Sequence, residues 1–122
     1  MIGYVTLGTN DIQRAAAFYD ALFAAAGGTR VMDMGGFIAW GTDMGSPMLA
    51  ITKPHDGNPA TVGNGVMIAL QMDSTEKVDA VYAKAIELGG KDEGPAGPRG
   101  TGFYAGYFRD LDGNKLNAFK MG

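Results

Sequence analysis

The 122-residue chain has no cysteine and only one histidine, and it lacks an excess of basic residues. The absence of cysteine excludes disulfides, thiol catalysis and zinc–thiolate sites. Ten basic residues against 13 acidic ones give a formal net charge of −3, which argues against a nucleic-acid-binding protein. Long apolar runs are missing as well, because the best candidate, AAAFYDALFAAA, is too short to span a bilayer.

The amino terminus, MIGYVTLG, lacks the basic and apolar regions of a signal peptide. The length fits a single domain with one modest core, and a hydrophobic content of 46% argues against disorder. We therefore expect one cytoplasmic domain whose partners include neither a nucleic acid nor a membrane.

An internal repeat organises the chain. The stretches IGYVTLG and GVMIALQ both alternate as strands do, and their residues Tyr4 and Met67 stand 63 positions apart. An amphipathic helix that ends at a Gly-Gly pair follows each stretch, and then come a short strand, an aromatic strand, a turn and a final strand. The sequence therefore predicts two β-α-β-β-β modules. Module one covers about 1–55, a linker about 56–63, and module two about 64–122.

Both helices carry a predicted starting signal. Asn10 with Gln13, and Asp73 with Glu76, match the pattern in which a cap oxygen accepts a backbone N–H and the side chain three residues later reciprocates. The same offset of 63 positions relates the two pairs. The repeat therefore extends through both helix starts.

The residues that carry this repeat resemble the vicinal oxygen chelate superfamily, which includes glyoxalase I, extradiol dioxygenases, fosfomycin-resistance enzymes and bleomycin-binding proteins. YVTLGTNDIQRAAAFYDALF is similar to the opening strand and helix of that superfamily, and RDLDGNKLNAF to its closing turn and strand. The resemblance covers essentially the whole chain. It implies an α+β fold in which two tandem βαβββ modules form a rolled, mostly antiparallel eight-stranded sheet around a cavity.

The resemblance also locates the positions where metal-dependent members hold a divalent ion, on the first and last strands of each module. These positions fall at Tyr4, Leu49, Met67 and Asn117, where the superfamily has His and Glu. A leucine has no donor atom, a methionine has a weak one, and neutral tyrosine and asparagine side chains bind divalent ions poorly. We therefore predict no metal and no other cofactor. Asn117 is then either a polar contact that faces the cavity or an amide that hydrogen-bonds its neighbours inside a filled barrel.

Other candidate groups have simpler interpretations. His55 lies in the loop TKPHDGNPATVGNG and is interpreted as a solvated loop residue. Ser46 fits a turn and Ser74 a helix start, so neither indicates a nucleophile. In the resemblance the loop GPRGTG borders the cavity, so Arg99 either reaches an anionic ligand there or, as we favour, is solvated. The sequence leaves the identity of any catalytic residue open.

Strand alternation predicts which side chains enclose the cavity. Val5, Leu7, Ile68 and Leu70 are predicted to face the helices, and their neighbours to face inward. Some aromatic side chains on the later strands must face the cavity, but the sequence does not fix which ones: Trp40, Phe103, Tyr104 or Tyr107. The predicted ligand-binding lining consists of Tyr4, Thr6, Trp40, Leu49, Met67, Gln71, Tyr104 and Asn117.

Three functions remain in competition. The leading hypothesis is a metal-free small-molecule-binding protein that sequesters its ligand, as the bleomycin-binding proteins do, and the acidic balance is compatible with a cationic ligand. The second is a glyoxalase-like lyase, isomerase or dioxygenase that recruits ligands such as His55 or Asp33, or that uses no metal and has Tyr4 or Lys115 as acid or base. The third is a degenerate structural or regulatory dimer subunit. A homodimer is expected in all three, from the resemblance and because bare strand edges favour association.

Overall fold

The computed structural model describes all residues from 1 to 122 and contains eight strands and two helices. The first module comprises β1 (Tyr4–Gly8), α1 (Ile12–Ala26), β2 (Thr29–Asp33), β3 (Phe37–Gly41) and β4 (Met48–Thr52). The second comprises β5 (Ile68–Gln71), α2 (Thr75–Glu87), β6 (Lys91–Pro98), β7 (Phe103–Arg109) and β8 (Lys115–Met121). The α+β prediction of two tandem β-α-β-β-β modules is confirmed. Neither helix has the length and apolarity needed to cross a membrane.

The strands form two separate four-stranded sheets. Sheet A has the order β1-β4-β3-β2 and sheet B the order β5-β8-β7-β6. In each sheet the first and last strands of the module pair in parallel, and the other two pairings are antiparallel. The eight strands are thus mostly antiparallel, as predicted. One chain does not close them into a single sheet around a cavity, because the modules meet through α1 and α2 and no strand of sheet A is paired with sheet B.

Each helix begins one residue later than predicted. The side chain of Asp11 accepts a hydrogen bond from the backbone N–H of Arg14 at the start of α1, at 3.1 Å. The hydroxyl of Ser74 accepts one from the N–H of Lys77 at the start of α2, at 3.2 Å. Both caps have the extended backbone of an N-cap residue. The predicted starts at the preceding residues are therefore wrong, although the caps keep the 63-residue offset.

Asn10 has a different role from the predicted one. Its side-chain oxygen accepts from the N–H of Ala60 at 2.6 Å, and its side-chain nitrogen donates to the carbonyl of the same residue at 3.2 Å. Its own backbone N–H donates to Asp112, in the turn between β7 and β8. Asn10 thus fastens the segment between the modules to the end of β1.

The predicted helix ends are confirmed. Gly27 has a φ of 96° and Gly89 a φ of 98°, the left-handed conformation in which glycine has no Cβ to clash. The chain therefore reverses sharply after each helix and enters β2 or β6.

One apolar core joins both modules. Its largest fully buried side chains include Trp40, Tyr19, Phe18, Phe108 and Leu22. Leu7 belongs to this core, and Val5, Ile68 and Leu70 pack against it, as the alternation of the first strands predicted. The helices therefore cover one side of each sheet and leave the other side without a covering element.

A buried polar cluster positions the start of β8. Asp110 accepts hydrogen bonds from the hydroxyl of Tyr19 at 2.7 Å, and from the backbone N–H groups of Asp112 and Asn114 at 3.0 and 2.8 Å. The side chain of Asn114 also donates to Asp110 and to the carbonyl of Gly8, at 3.0 Å each. Burial, together with the charge of Asp110, raises the pKa of the Tyr19 phenol well above its usual value. The sequence DLDGN is therefore a turn that is anchored to α1 and β1.

Candidate functional site

Each sheet has an open face, which we define as the side opposite its helix. Strand pairing determines which residues lie there, because alternate side chains point to opposite sides. The open face of sheet A carries Tyr4, Thr6, Phe37, Ala39, Met48 and Ala50. The open face of sheet B carries Ala69, Gln71, Tyr107, Lys115, Asn117 and Phe119.

The predicted lining is divided among these surfaces. Tyr4 and Thr6 lie on the open face of sheet A, where the ring of Tyr4 contacts Phe37 edge-on with centroids 5.7 Å apart. Gln71 and Asn117 lie on the open face of sheet B. Since no strand of sheet A pairs with a strand of sheet B and the modules meet through their helices, one chain does not bring these two pairs together.

Three other residues of the predicted lining border a groove. It has a volume of about 450 Å³ and separates the β1–β4 edge of sheet A from β5. Trp40, Leu49 and Met67 contribute to its walls, which are almost wholly apolar. Ile2, Val5, Phe23, Gly41, Pro47, Met48, Ile68, Ala69 and Leu70 complete them.

Trp40 and Tyr104 face the helices, and neither lies on an open face. Trp40 is fully buried, and its indole N–H donates to Asp20 of α1 at 2.8 Å. The hydroxyl of Tyr104 donates to Asp79 of α2 at 2.6 Å, and this bond to the carboxylate raises the pKa of the phenol. Their role in the structure is to hold a helix against a sheet.

Leu49 is displaced by one position from the expected alignment of the modules. Thr6 pairs with Ala50 in sheet A, just as Ala69 pairs with Asn117 in sheet B. The residue of module one that corresponds to Asn117 is therefore Ala50, and Leu49 is buried on the helix-facing side. Aligning the two turns on their glycines gave a register wrong by one residue, which moves a strand residue to the opposite face.

The corrected set of positions does not fit a divalent ion. Tyr4, Ala50, Met67 and Asn117 offer one phenol, one thioether and one neutral amide, none of which carries the charge of an imidazole–carboxylate set. No three His, Cys, Asp or Glu side chains converge anywhere in the chain. The donor chemistry at these positions therefore disagrees with the metal that the fold implies.

The two residues considered as substitute ligands lie apart from these positions. His55 is exposed in the segment between β4 and β5. Asp33 is exposed at the end of β2 and binds Arg30 at 2.8 Å, and its bond from the N–H of Gly35, together with Arg30, lowers the pKa of its carboxyl group. His55 is therefore a solvent-exposed loop residue, and Asp33 already has Arg30 and Gly35 as partners.

Asn117 is the most unusual residue of the open faces. It lies at the centre of sheet B, between Ala69 of β5 and Tyr107 of β7. Its side chain is only 1% exposed, yet its Oδ1 atom accepts no hydrogen bond. A buried polar atom without a partner is uncommon in folded proteins and lowers their stability. The chain by itself therefore leaves an unused acceptor at the middle of this face.

Two cationic side chains lie beside Asn117, around the ring of Tyr107. The guanidinium carbon of Arg99 is 5.5 Å from the centre of this ring, and the ammonium nitrogen of Lys115 is 5.7 Å from it. Arg99 donates to main-chain carbonyls of β6 and passes over Gly94, where a Cβ would stand 3.2 Å from the guanidinium group. Neither cation forms an ion pair with a carboxylate.

The opposite end of the same face carries two aromatic rings next to Gln71, which pairs with Phe119. Phe119, two residues beyond Asn117, stacks on Phe103 with ring centroids 5.6 Å apart. The open face of sheet B thus presents cations at one end, an amide in the middle and aromatic rings at the other end. Such a mixture of apolar surface and a few polar groups is typical of small-molecule sites.

The sequence did not single out Tyr107 as a site residue, because the side that β7 presents depends on its pairing with β8. Arg99 was interpreted as solvated, and it is exposed, while its guanidinium group also lies over the ring of Tyr107 on the open face. The run GPAGP was the available signal, since glycines in β6 leave room for a long side chain to lie over the strand.

Comparisons with known proteins agree on the architecture. Residues 1–118 match the family model of the Glyoxalase/Bleomycin resistance protein/Dioxygenase superfamily. No curated protein matches the chain significantly. Among solved structures, a glyoxalase/bleomycin resistance protein from Albidiferax ferrireducens is 34% identical with a TM-score of 0.92, over 100% of this chain and 99% of that one.

Two more distant structures share the fold. A glyoxalase-related enzyme from Fulvimarina pelagi is 23% identical with a TM-score of 0.77, over 98% of this chain and 87% of that one. A protein described as lactoylglutathione lyase from Agrobacterium tumefaciens is 23% identical with a TM-score of 0.71, over 98% of this chain and 92% of that one.

Proposed function

Because the chain belongs to the glyoxalase/bleomycin resistance protein/dioxygenase superfamily, we propose that it is a small-molecule-binding protein that needs no divalent metal. Its site is the open face of sheet B, centred on Asn117. The observation that carries the proposal is the buried Oδ1 atom of Asn117, which accepts no hydrogen bond within the chain. A ligand that donates a hydrogen bond there satisfies an atom that the fold leaves without a partner.

A second copy of the chain completes the site. Within one chain the two open faces do not meet, and β1 and β5 are sheet edges that pair on one side only. Large apolar side chains stand exposed along these edges, among them Ile2, Tyr4 and Met67. Unpaired edges and exposed apolar patches favour association. A homodimer that sets sheet A of one chain opposite sheet B of the other turns two bare faces into one enclosed cavity.

Ligand sequestration is favoured over catalysis by the groups on these faces. The positions that correspond to the metal ligands of the superfamily carry Tyr4, Ala50, Met67 and Asn117, and these side chains do not form the donor set that a Lewis-acid centre requires. The relative described as a lactoylglutathione lyase is 23% identical, which supports a shared fold and nothing finer.

Native mass spectrometry of untagged protein, purified without chelator, tests the proposal. The expected species is a dimer of twice the 12.7 kDa chain mass that carries no stoichiometric metal. An organic adduct on that dimer would identify the ligand directly. Stoichiometric Zn, Ni, Fe or Mn would contradict the metal-free site, and a monomer at micromolar concentration would contradict a site shared by two chains.

A further inference from the structure

We infer that the molecule bound at the open face of sheet B is a small organic anion with an aromatic or otherwise flat apolar body and an O–H or N–H donor. This inference rests on the proposed function, because it names the class of ligand for the same site. The inferred anionic ligand differs from the cationic ligand with which the net charge of −3 is compatible. We prefer an anion because a ligand is attracted by the charges next to its site. The local charge at this site is positive, although the net charge of the chain is negative.

The charge of the open face is positive. Lys115 and Arg99 stand on it without a carboxylate partner. Arg109 also lies there, opposite Lys115, but Glu93 binds it at 2.8 Å and balances its charge. Two cations thus remain unbalanced around Tyr107. Cations that have no partner in the protein attract a carboxylate, sulfonate or phosphate group of a ligand.

Space for a ligand adjoins the same cations. A cavity of about 460 Å³ lies between the segment from Val62 to Met67 and the side chains of Lys115 and Arg109. Lys115 therefore borders both this cavity and the ring of Tyr107. Lys115 lies two residues before Asn117 on the same face of β8, so a molecule over Asn117 can extend its anionic group to Lys115.

The two remaining requirements come from the middle and the far end of the face. The Oδ1 atom of Asn117 accepts no bond, so the ligand must provide a donor within reach of it. Phe119, Phe103 and Ala69 provide apolar surface beside Asn117. A flat apolar body covers such a surface at little cost in conformational entropy. Charge, donor and ring together define an aromatic or similarly flat hydroxy acid or amino acid.

The test uses three probes that share one ring and one hydroxyl and differ only in charge: 4-hydroxybenzoate, 4-hydroxybenzamide and 4-hydroxybenzylammonium. Isothermal titration calorimetry gives their affinities, and side-chain amide NMR of Asn117 reports whether each probe reaches the face. We expect the benzoate to bind at least about tenfold more tightly than the benzamide, and the ammonium probe to bind least. Raising the salt concentration should weaken only the benzoate.

Charge-neutralising variants locate the anion site. Lys115→Gln and Arg99→Gln should each weaken the benzoate roughly tenfold and leave the benzamide unchanged. Lys120→Gln is the matched control, because Lys120 lies on the same strand and points to the opposite side of the sheet. It should leave all three affinities unchanged. An equal loss for Lys120→Gln would show that net charge, and not this site, governs binding.

The outcomes separate the two proposals. If the benzamide or the ammonium probe binds at Asn117 as tightly as the benzoate, the anion inference is overturned while the small-molecule site stands. If no probe perturbs the Asn117 amide, both the inference and the proposed site on sheet B fail.

Discussion

A single buried asparagine, Asn117, gives the open face of sheet B an unused hydrogen-bond acceptor. Asn117 occupies the position where metal-dependent members of the superfamily have an acidic ligand, and Ala50, Met67 and Tyr4 occupy the related positions. Folding buries the amide and leaves its oxygen without a partner. Natural proteins keep such local conflicts chiefly at functional sites, where a ligand resolves them.

Replacing this residue should separate stability from binding. Asn117→Leu replaces an unsatisfied amide by an apolar side chain of similar size, so we expect the free energy of unfolding to rise by about 1 kcal/mol. Binding of 4-hydroxybenzoate should be lost at the same time. Thermal and urea unfolding, together with calorimetric titration, measure both effects.

The control for this variant is a satisfied asparagine nearby. Asn114 is also buried, but its side chain donates to Asp110 and to Gly8. Asn114→Leu should therefore destabilise the protein. If Asn117→Leu destabilises it to the same extent, the amide of Asn117 has a structural partner and the argument from its free oxygen fails.

At the scale of elements, the two halves of the repeat fasten their helices differently. Tyr19 of α1 and Tyr82 of α2 are equivalent by the 63-residue offset. Tyr19 is buried and bonds Asp110, which belongs to the other module, whereas Tyr82 bonds Asp92 at 2.8 Å within its own module. The bond from Tyr19 therefore joins the modules, and it fixes the turn from which β8 and Asn117 start.

Removing the Tyr19 hydroxyl should show how much its hydrogen bond between the modules contributes to the free energy of unfolding. Tyr19→Phe withdraws a donor from the buried Asp110, so we expect a loss of about 1–3 kcal/mol in the free energy of unfolding near neutral pH. Tyr82→Phe is the control and should cost less, since the bond of Tyr82 is exposed to solvent.

The effect should depend on pH in a defined direction. The pKa of Tyr19 is raised in the folded state, because burial and Asp110 disfavour the phenolate. The stability that the neutral phenol contributes is therefore complete below the unfolded-state pKa of about 10 and is lost as the pH rises above it. Urea unfolding from about pH 8 to 11 should show the gap between wild type and Tyr19→Phe narrowing above about pH 10. A constant gap would mean that Tyr19 ionises equally in both states.

At the scale of the whole molecule, a single chain leaves two sheet faces uncovered and two edge strands paired on one side only. Its helices share a single core, but both open faces and the edges β1 and β5 remain without a partner. The apolar groove of about 450 Å³ between those edges continues the exposed apolar surface. The homodimer stays a proposal, according to which the two faces would enclose a cavity.

A charge at the edge of β5 should weaken this assembly. Met67 lines the groove and is 38% exposed in the single chain, so Met67→Lys should leave the chain folded. In the dimer the ammonium group would be buried without a partner, and we expect the dissociation constant to rise at least about tenfold. Size-exclusion chromatography with light scattering over a concentration series measures it.

Met34→Lys is a suitable control, because Met34 is 70% exposed in the turn after β2. It should leave the dimer intact. A dimer that tolerates both variants equally would place the interface elsewhere.

The sequence by itself determined the order of the elements, the repeat and the helix-facing sides of β1 and β5. These features follow from periodicity and helix caps, which act over a few residues. The observed N-caps lie one residue after the predicted ones. The chemistry of Tyr4, Met67 and Asn117 was also predictable, because donor atoms belong to residue types. Domain boundaries, the absence of a cofactor and a cytoplasmic location stay predictions of the sequence.

Only the tertiary structure decided which residues share a surface. Trp40 and Tyr104 turn toward the helices, and Ala50 takes the place expected for Leu49. Arg99 lies across the ring of Tyr107, which makes one face cationic in an acidic protein. The physical reason is that strand register comes from pairing between distant segments, and a shift of one residue exchanges the two faces of a strand.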